Sequence, residues 1–161
     1  MNHLGFKQFL VMGFCIGGPM IWNLLKRAGD QVTVAVLVHP SGYTSSHPNI
    51  FVELNMLGWA PRFMEQRPEI TEAMIAEYLD NMYTKRADFV FTVDREFVRN
   101  CQPSVLILPD DIPPHPYLTA METAFLAPNA QVSLYPWKEN DRKISLALNH
   151  IRSFLGTNTP N

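Results

Sequence analysis

Six residues carry the strongest chemical signal in the chain: Gly13-Phe14-Cys15-Ile16-Gly17-Gly18. They follow a short apolar run, Phe9–Met12, and precede a segment with apolar residues at helical spacing: Met20, Ile21, Leu24, Leu25 and Ala28. A cysteine between paired glycines, on the path from a buried strand into a helix, is the setting of a nucleophile held on a sharp turn. Strand and helix crowd each other there, so the positions two before and two after the nucleophile must be small; Gly13 and Gly17 meet that demand. The helix start favours a thiolate and would lower the Cys15 pKa from about 8.5. The backbone N–H of Ile16 would point at an oxyanion. The alternative is a structural thiol, since cysteine is among the most buried residue types.

A cysteine nucleophile needs a base. His115, within Asp110-Asp111-Ile112-Pro113-Pro114-His115-Pro116, is the best candidate, oriented by Asp111; the alternative is a loop histidine packed by its prolines. Asp110-Asp111 reads equally as an acid with its neighbour or as a turn. His39, ending a strand, either lines a pocket or caps the strand. Trp59, Phe63, Tyr78, Tyr83, Phe89 and Phe91 line an apolar substrate pocket or form core. His3 and His47 have no informative context, and the cysteines and histidines lack metal-ligand spacing, so neither metal nor cofactor is expected.

The elements that must hold these residues alternate. Phe9–Met12, Val32–Val38, Ser104–Leu108 and Gln131–Tyr135 read as strands, the second and third as continuous apolar runs covered on both faces. Helices are expected over Met20–Ala28, about Glu72–Met82 capped by Thr71, a short one after Asp94, from Pro116 to about Leu126, and over about Arg142–Leu155 with Gly156 ending it. The last presents Ile144, Leu148, Ile151 and Leu155 as one stripe. Residues 43–67 show little period. Alternation predicts a parallel α/β sheet whose strand carboxyl ends share one edge, where α/β sites form.

The chain has 161 residues, 47% of them hydrophobic, with 13 Lys+Arg against 15 Asp+Glu. That predicts one globular domain, and near-neutral charge argues against a nucleic-acid partner. The 14-residue apolar run from Phe9 to Trp22 is interrupted by three glycines and Pro19 and falls short of the ~20 residues of a membrane span. No signal-peptide pattern follows it. A cytoplasmic protein with two reduced thiols is expected.

The Gly-Phe-Cys-Ile-Gly-Gly turn resembles the nucleophile elbow of the α/β-hydrolase family, in the Cys-bearing form of the dienelactone-hydrolase type. The resemblance extends downstream. VTVAVLVHPSG looks like the strand after the elbow helix, residues 43–100 like a cap insertion, and SVLILPDDIPPHP like the strand and loop that supply the acid. NAQVSLYP looks like the last strand, and HIRSFL like the end of the closing helix. The resemblance implies hydrolysis of a carboxylic ester, lactone or thioester: Cys15 attacks, Ile16 N–H holds the oxyanion, and His115 with Asp111 moves the proton. His39, Trp59 and Trp137 would border the pocket.

Two departures accompany it. The family places its catalytic histidine after the last strand, where this chain reads Pro136-Trp137-Lys138-Glu139-Asn140-Asp141; Trp137 would fill the imidazole's space, and the nearest histidine, His150, falls inside the terminal helix. A complete member also has about four further strands upstream, with a second oxyanion donor among their loops. The resemblance is therefore to the C-terminal part of the fold. A catalytically inactive relative that binds a small apolar ligand, or serves as an interaction module, is the alternative function. An elbow strand at a sheet edge predicts homo-oligomerisation or aggregation through that edge. The expected partner is a small-molecule substrate or ligand, with no nucleic acid and no membrane.

Overall fold

A computed structural model describes residues 1–159. Its centre is the β-branched run Val32–Val38 (β2), buried along nearly its whole length. Beside it lie β1 (Phe9–Phe14) on one side and β3 (Ser104–Leu108) on the other, with β4 (Ala130–Val132) beyond β3. All pairs are parallel, and among the described residues the sheet order is β1-β2-β3-β4, the order of the chain.

Two cores follow from the alternation of side chains along a strand. On one face Ala35, Leu37, Val105 and Ile107 pack with Ile21, Trp22 and Leu25 of α1 (Gly17–Ala28). On the other, Val34, Val36, Val38, Leu106 and Leu108 pack against Ala147, Ile151 and Phe154 of the terminal helix (Asp141–Asn158). That helix differs from expectation twice. Its buried stripe is Ala147-Ile151-Phe154, leaving Leu148 exposed. It also passes through Gly156, because the N–H of Thr159 closes a last turn on the Leu155 carbonyl.

Between β2 and β3 the chain forms α2 (Ile50–Leu57), α3 (Ala60–Gln66), α4 (Glu72–Leu79), a wider turn over Asp80–Thr84, and α5 (Arg95–Arg99). The two helices at 50–66 replace the irregular stretch expected there. Their core is separate: Phe51 stacks on Tyr83 with ring centroids 4.8 Å apart, and Phe91 meets both rings edge-on. Thr71 and Asp94 cap α4 and α5 through their side chains, as expected. After β3 comes α6 (Tyr117–Leu126), and the terminal helix is α7. β4 is shorter than the expected Gln131–Tyr135 because only Val105–Ile107 of β3 offers it a partner.

Strand β1 is covered on one face only. Leu10, Met12 and Phe14 are 41%, 46% and 56% exposed on the other. No helix among the described residues is long and apolar enough to cross a membrane.

Candidate active site at the carboxyl edge of the sheet

The carboxyl ends of β1, β2 and β3 bring Cys15, His39, Ser41, Asp110 and His115 together. Cys15 stands directly after β1 with φ +53°, a left-handed backbone that costs a non-glycine residue about 1–3 kcal/mol. The turn is pinned from three sides. The N–H of Cys15 bonds the Val38 carbonyl (3.1 Å), and the Cys15 carbonyl accepts from Gly18 (3.0 Å) and Ser41 (3.0 Å). A Cβ at Gly13 would lie 2.9 Å from the Gly17 backbone, and one at Gly18 would lie 2.6 Å from Pro40 Cβ. The crowding expected at Gly17 is absent. Its own Cβ would meet nothing within 4 Å.

Cys15 is half-buried, with Sγ 3.3 Å from the hydroxyl of the buried Ser41. Its thiol is held below its ordinary pKa. The main cause is the His115 imidazole; burial opposes it, and the Ser41 hydroxyl, the charge on His115 and the Ile16 N–H add to it.

His115 returns to the sheet edge through a tight turn in which its N–H bonds the Ile112 carbonyl (2.8 Å). Its Nδ1–H donates to Asp110 Oδ2 (3.2 Å), and Lys138 Nζ donates to the same oxygen (2.5 Å). Burial disfavours a charged His115, but Cys15 and Asp110 outweigh it and raise the pKa. Burial likewise works to raise Asp110, yet Lys138, His115 and the Asp111 N–H hold its carboxyl below the usual range. Nε2, the nitrogen not bonded to Asp110, is buried and makes no hydrogen bond of ordinary geometry among the described residues. A proton can pass between Nε2 and the Cys15 sulfur only when the two come within hydrogen-bond reach.

The carboxylate facing His115 is thus that of Asp110, not Asp111, which is exposed. Neighbouring residues of an extended backbone point opposite ways, so only one of the pair can face the sheet edge. His39 lies against His115, ring centroids 4.8 Å apart and planes 26° apart. Trp137 lies near-parallel to His39 at 6.0 Å and 7°, and its Nε1–H donates to the Pro109 carbonyl. Trp59 does not join this cluster. It packs on Phe63 and Tyr78, beside an apolar cavity of about 370 Å³ on the helical insertion. His150 bonds Gln131 on the surface. Residue types and spacing do not single out Ser41 or Lys138, whereas Tyr83 is among the aromatics expected to line a pocket or form core. Ser41 and Lys138 join Cys15 and Asp110 only through folding, while Tyr83 is near enough for the Cys15 charge to help burial raise its pKa. Cys101 is a free, buried thiol whose pKa burial pushes up to about 11. Among the described residues no group of three or more His, Cys, Asp or Glu side chains could hold a metal ion.

A parallel sheet wrapped by helices, with its polar cluster at the strands' carboxyl ends, defines the α/β class. The sequence model described as alpha/beta hydrolase fold matches residues 1–152, and the chain belongs to that family. Solved structures agree at the level of fold. An esterase, RhEst1, from Rhodococcus sp. ECU1013 is 18% identical with a TM-score of 0.62, the match covering 98% of this chain and 69% of that one. A meta-cleavage product hydrolase from Pseudomonas fluorescens IP01 is 15% identical with a TM-score of 0.63, covering 99% and 68%. A hydrolase from Oleispira antarctica is 15% identical with a TM-score of 0.59, covering 96% and 67%. The chain therefore spans about two thirds of the length of these structures. No curated protein sequence matches it.

Proposed function

We propose that the protein is a hydrolase of a carboxylic ester, lactone or thioester, with Cys15 as nucleophile. One observation carries the reading: a cysteine held at φ +53° on a strand-to-helix turn has its thiol pKa lowered by an imidazole whose Nδ1 is bonded to a largely buried carboxylate. In this reading the Cys15 thiolate adds to the carbonyl carbon, and the Ile16 N–H receives the resulting oxyanion. Collapse expels the alkoxide or thiolate, which takes the proton from His115 Nε2, leaving an acyl-thioester on Cys15. His115 then accepts a proton from water as it attacks the acyl carbon. The second collapse releases the carboxylic acid and restores the cysteine. Asp110, assisted by Lys138, holds His115 in the required tautomer. The insertion spanning residues 43–100 serves as a cap, and the edge of β1 that is unpaired among the described residues serves as a self-association surface.

A second reading, a non-catalytic relative that binds a small apolar ligand or serves as an interaction module, is favoured by the closed base: His115 Nε2 is sealed from solvent and unpaired with the sulfur. Turnover of aryl esters and aryl thioesters decides between them. The hydrolase reading requires hydrolysis by the wild type that vanishes in Cys15→Ala and falls at least about a hundredfold in His115→Ala. Equal rates in wild type and Cys15→Ala would leave the binding reading.

A further inference from the structure

His39 has four unusual properties at once. It follows β2 with φ +38°, outside the ordinary range for a residue with a side chain. Its N–H bonds the Leu108 carbonyl at 2.8 Å, so this strained backbone is tied to β3 just before the Asp110 loop. Two rings lie stacked near its own, His115 at 4.8 Å and Trp137 at 6.0 Å, with Phe14 tilted against it at 5.7 Å. Its Nδ1 is buried and has no hydrogen-bond partner among the described residues. A strained backbone and an unsatisfied ring nitrogen each cost stability, and neither is needed to end a strand. Their persistence points to what the ring does for its neighbour.

We propose that His39 is a positioning residue for His115. Its neutral imidazole, stacked with His115 and Trp137, fixes the plane of the His115 ring and keeps the positive charge of the cluster on His115, beside Cys15.

The geometry sets both halves. A face-stacked ring removes the freedom of His115 to rotate about the bond to its ring, so that Nδ1 stays on Asp110 while Nε2 stays available to Cys15. A neutral ring also receives a cation on its face favourably, whereas two imidazolium rings at 4.8 Å repel. The charged and titratable groups facing His39 are His115 and Asp110 from the loop after β3 and Lys138 from the loop after β4. Burial, His115 and Lys138 all disfavour charge on His39, against Asp110 alone. Protonation of the pair therefore falls to His115, where it supports a thiolate.

The inference rests on the proposed pairing of Cys15 with His115, and its test does not require turnover. In a Cys101→Ala background only one thiol remains, so iodoacetamide alkylation followed against pH reports the ionisation of Cys15, and NMR of the imidazole Cε1–H signals reports that of His115. His39→Asn suits a left-handed backbone and removes the ring. His39→Phe keeps a ring and removes the nitrogens. Trp137→Leu removes the other ring of the clamp without touching the strained residue.

His39→Asn and Trp137→Leu are expected to raise the apparent Cys15 pKa by about one unit, slowing alkylation near pH 6 about tenfold, and to lower the His115 pKa. His39→Phe is expected to stay within about twofold of the parent. Unchanged profiles in His39→Asn and Trp137→Leu, or an equal shift in His39→Phe and His39→Asn, would overturn the clamp. Profiles that respond while no ester or thioester is hydrolysed would keep the clamp and remove the hydrolase reading. Cys15-dependent turnover with unresponsive profiles would do the reverse.

Discussion

His115 Nδ1 lies 3.2 Å from Asp110 Oδ2, an oxygen that also accepts from Lys138. Both members of this pair are shifted toward their charged forms, and their contributions to stability follow with opposite signs. The lowered Asp110 pKa gives stability that is present above the ordinary carboxylate range and lost as pH falls through the folded value. The raised His115 pKa gives stability that is fully present below the ordinary imidazole pKa and lost as pH rises through the folded value. Asp110→Ala should therefore cost most between about pH 4 and 6.5, on the order of 1–3 kcal/mol, because it strands a largely buried imidazole N–H. Urea unfolding across pH checks this. Asp111→Ala should change stability little, and an equal loss in both variants would undo the assignment of Asp110.

Cys15 should alkylate at lower pH than an ordinary thiol, because lowering a thiol pKa moves the rise of the thiolate to lower pH. His115→Ala should move that rise upward, and Ser41→Ala should do so by less. Cys101, with its pKa pushed up to about 11, should stay unmodified under the same conditions. Mass spectrometry of the alkylated peptides separates the two thiols.

Gly18→Ala and Gly13→Ala should each destabilise by about 1–3 kcal/mol, since their Cβ atoms would press on Pro40 and on the Gly17 backbone. Gly17→Ala should be neutral or slightly stabilising, by up to about 1 kcal/mol, because its Cβ meets open space. Urea midpoints of the three variants test the ordering. A loss at Gly17 as large as at Gly18 would contradict the geometry of the turn.

Among the described residues β1 is an edge strand, with Leu10, Met12 and Phe14 exposed on one face, and the proposed self-association would run through it. Light scattering is expected to show a dimer or larger species, and Met12→Lys should shift it toward monomer. A monodisperse monomer at every concentration would exclude this role for the edge.

Much of the sheet could be read directly. Val32–Val38 and Ser104–Leu108 end as expected, because unbroken apolar runs meet His39-Pro40 and Pro109-Asp110. The helices at 50–66 could not. They are short, they pack largely on α4 rather than on the sheet, and Leu54, Leu57 and Trp59 stay exposed, so no single stripe forms. At the site, the glycine spacing singled out Cys15, and the proline-rich loop singled out His115. The choice between Asp110 and Asp111 turns on the phase of the backbone as it leaves β3, which residue types do not encode. Trp137 is expected at the pocket, in the space of an imidazole, but its stacking on His39 is hidden for the same kind of reason. It stacks on His39 from the loop after β4, a partnership that exists only once β4 has paired.

The strict agreement between sheet order and chain order bears on how the domain assembles. Each strand pairs with the one that comes next, so the sheet can grow outward from β2 and β3 by successive docking, without threading a late segment between early ones. β4, three residues long and at the far edge, closes the series. Native-state hydrogen exchange should find its amides opening at a lower free energy than those of β2 and β3. Lys138 and Trp137 lie just beyond that strand, so local opening there would release Asp110 and His39 while the turn that holds Cys15 stays folded.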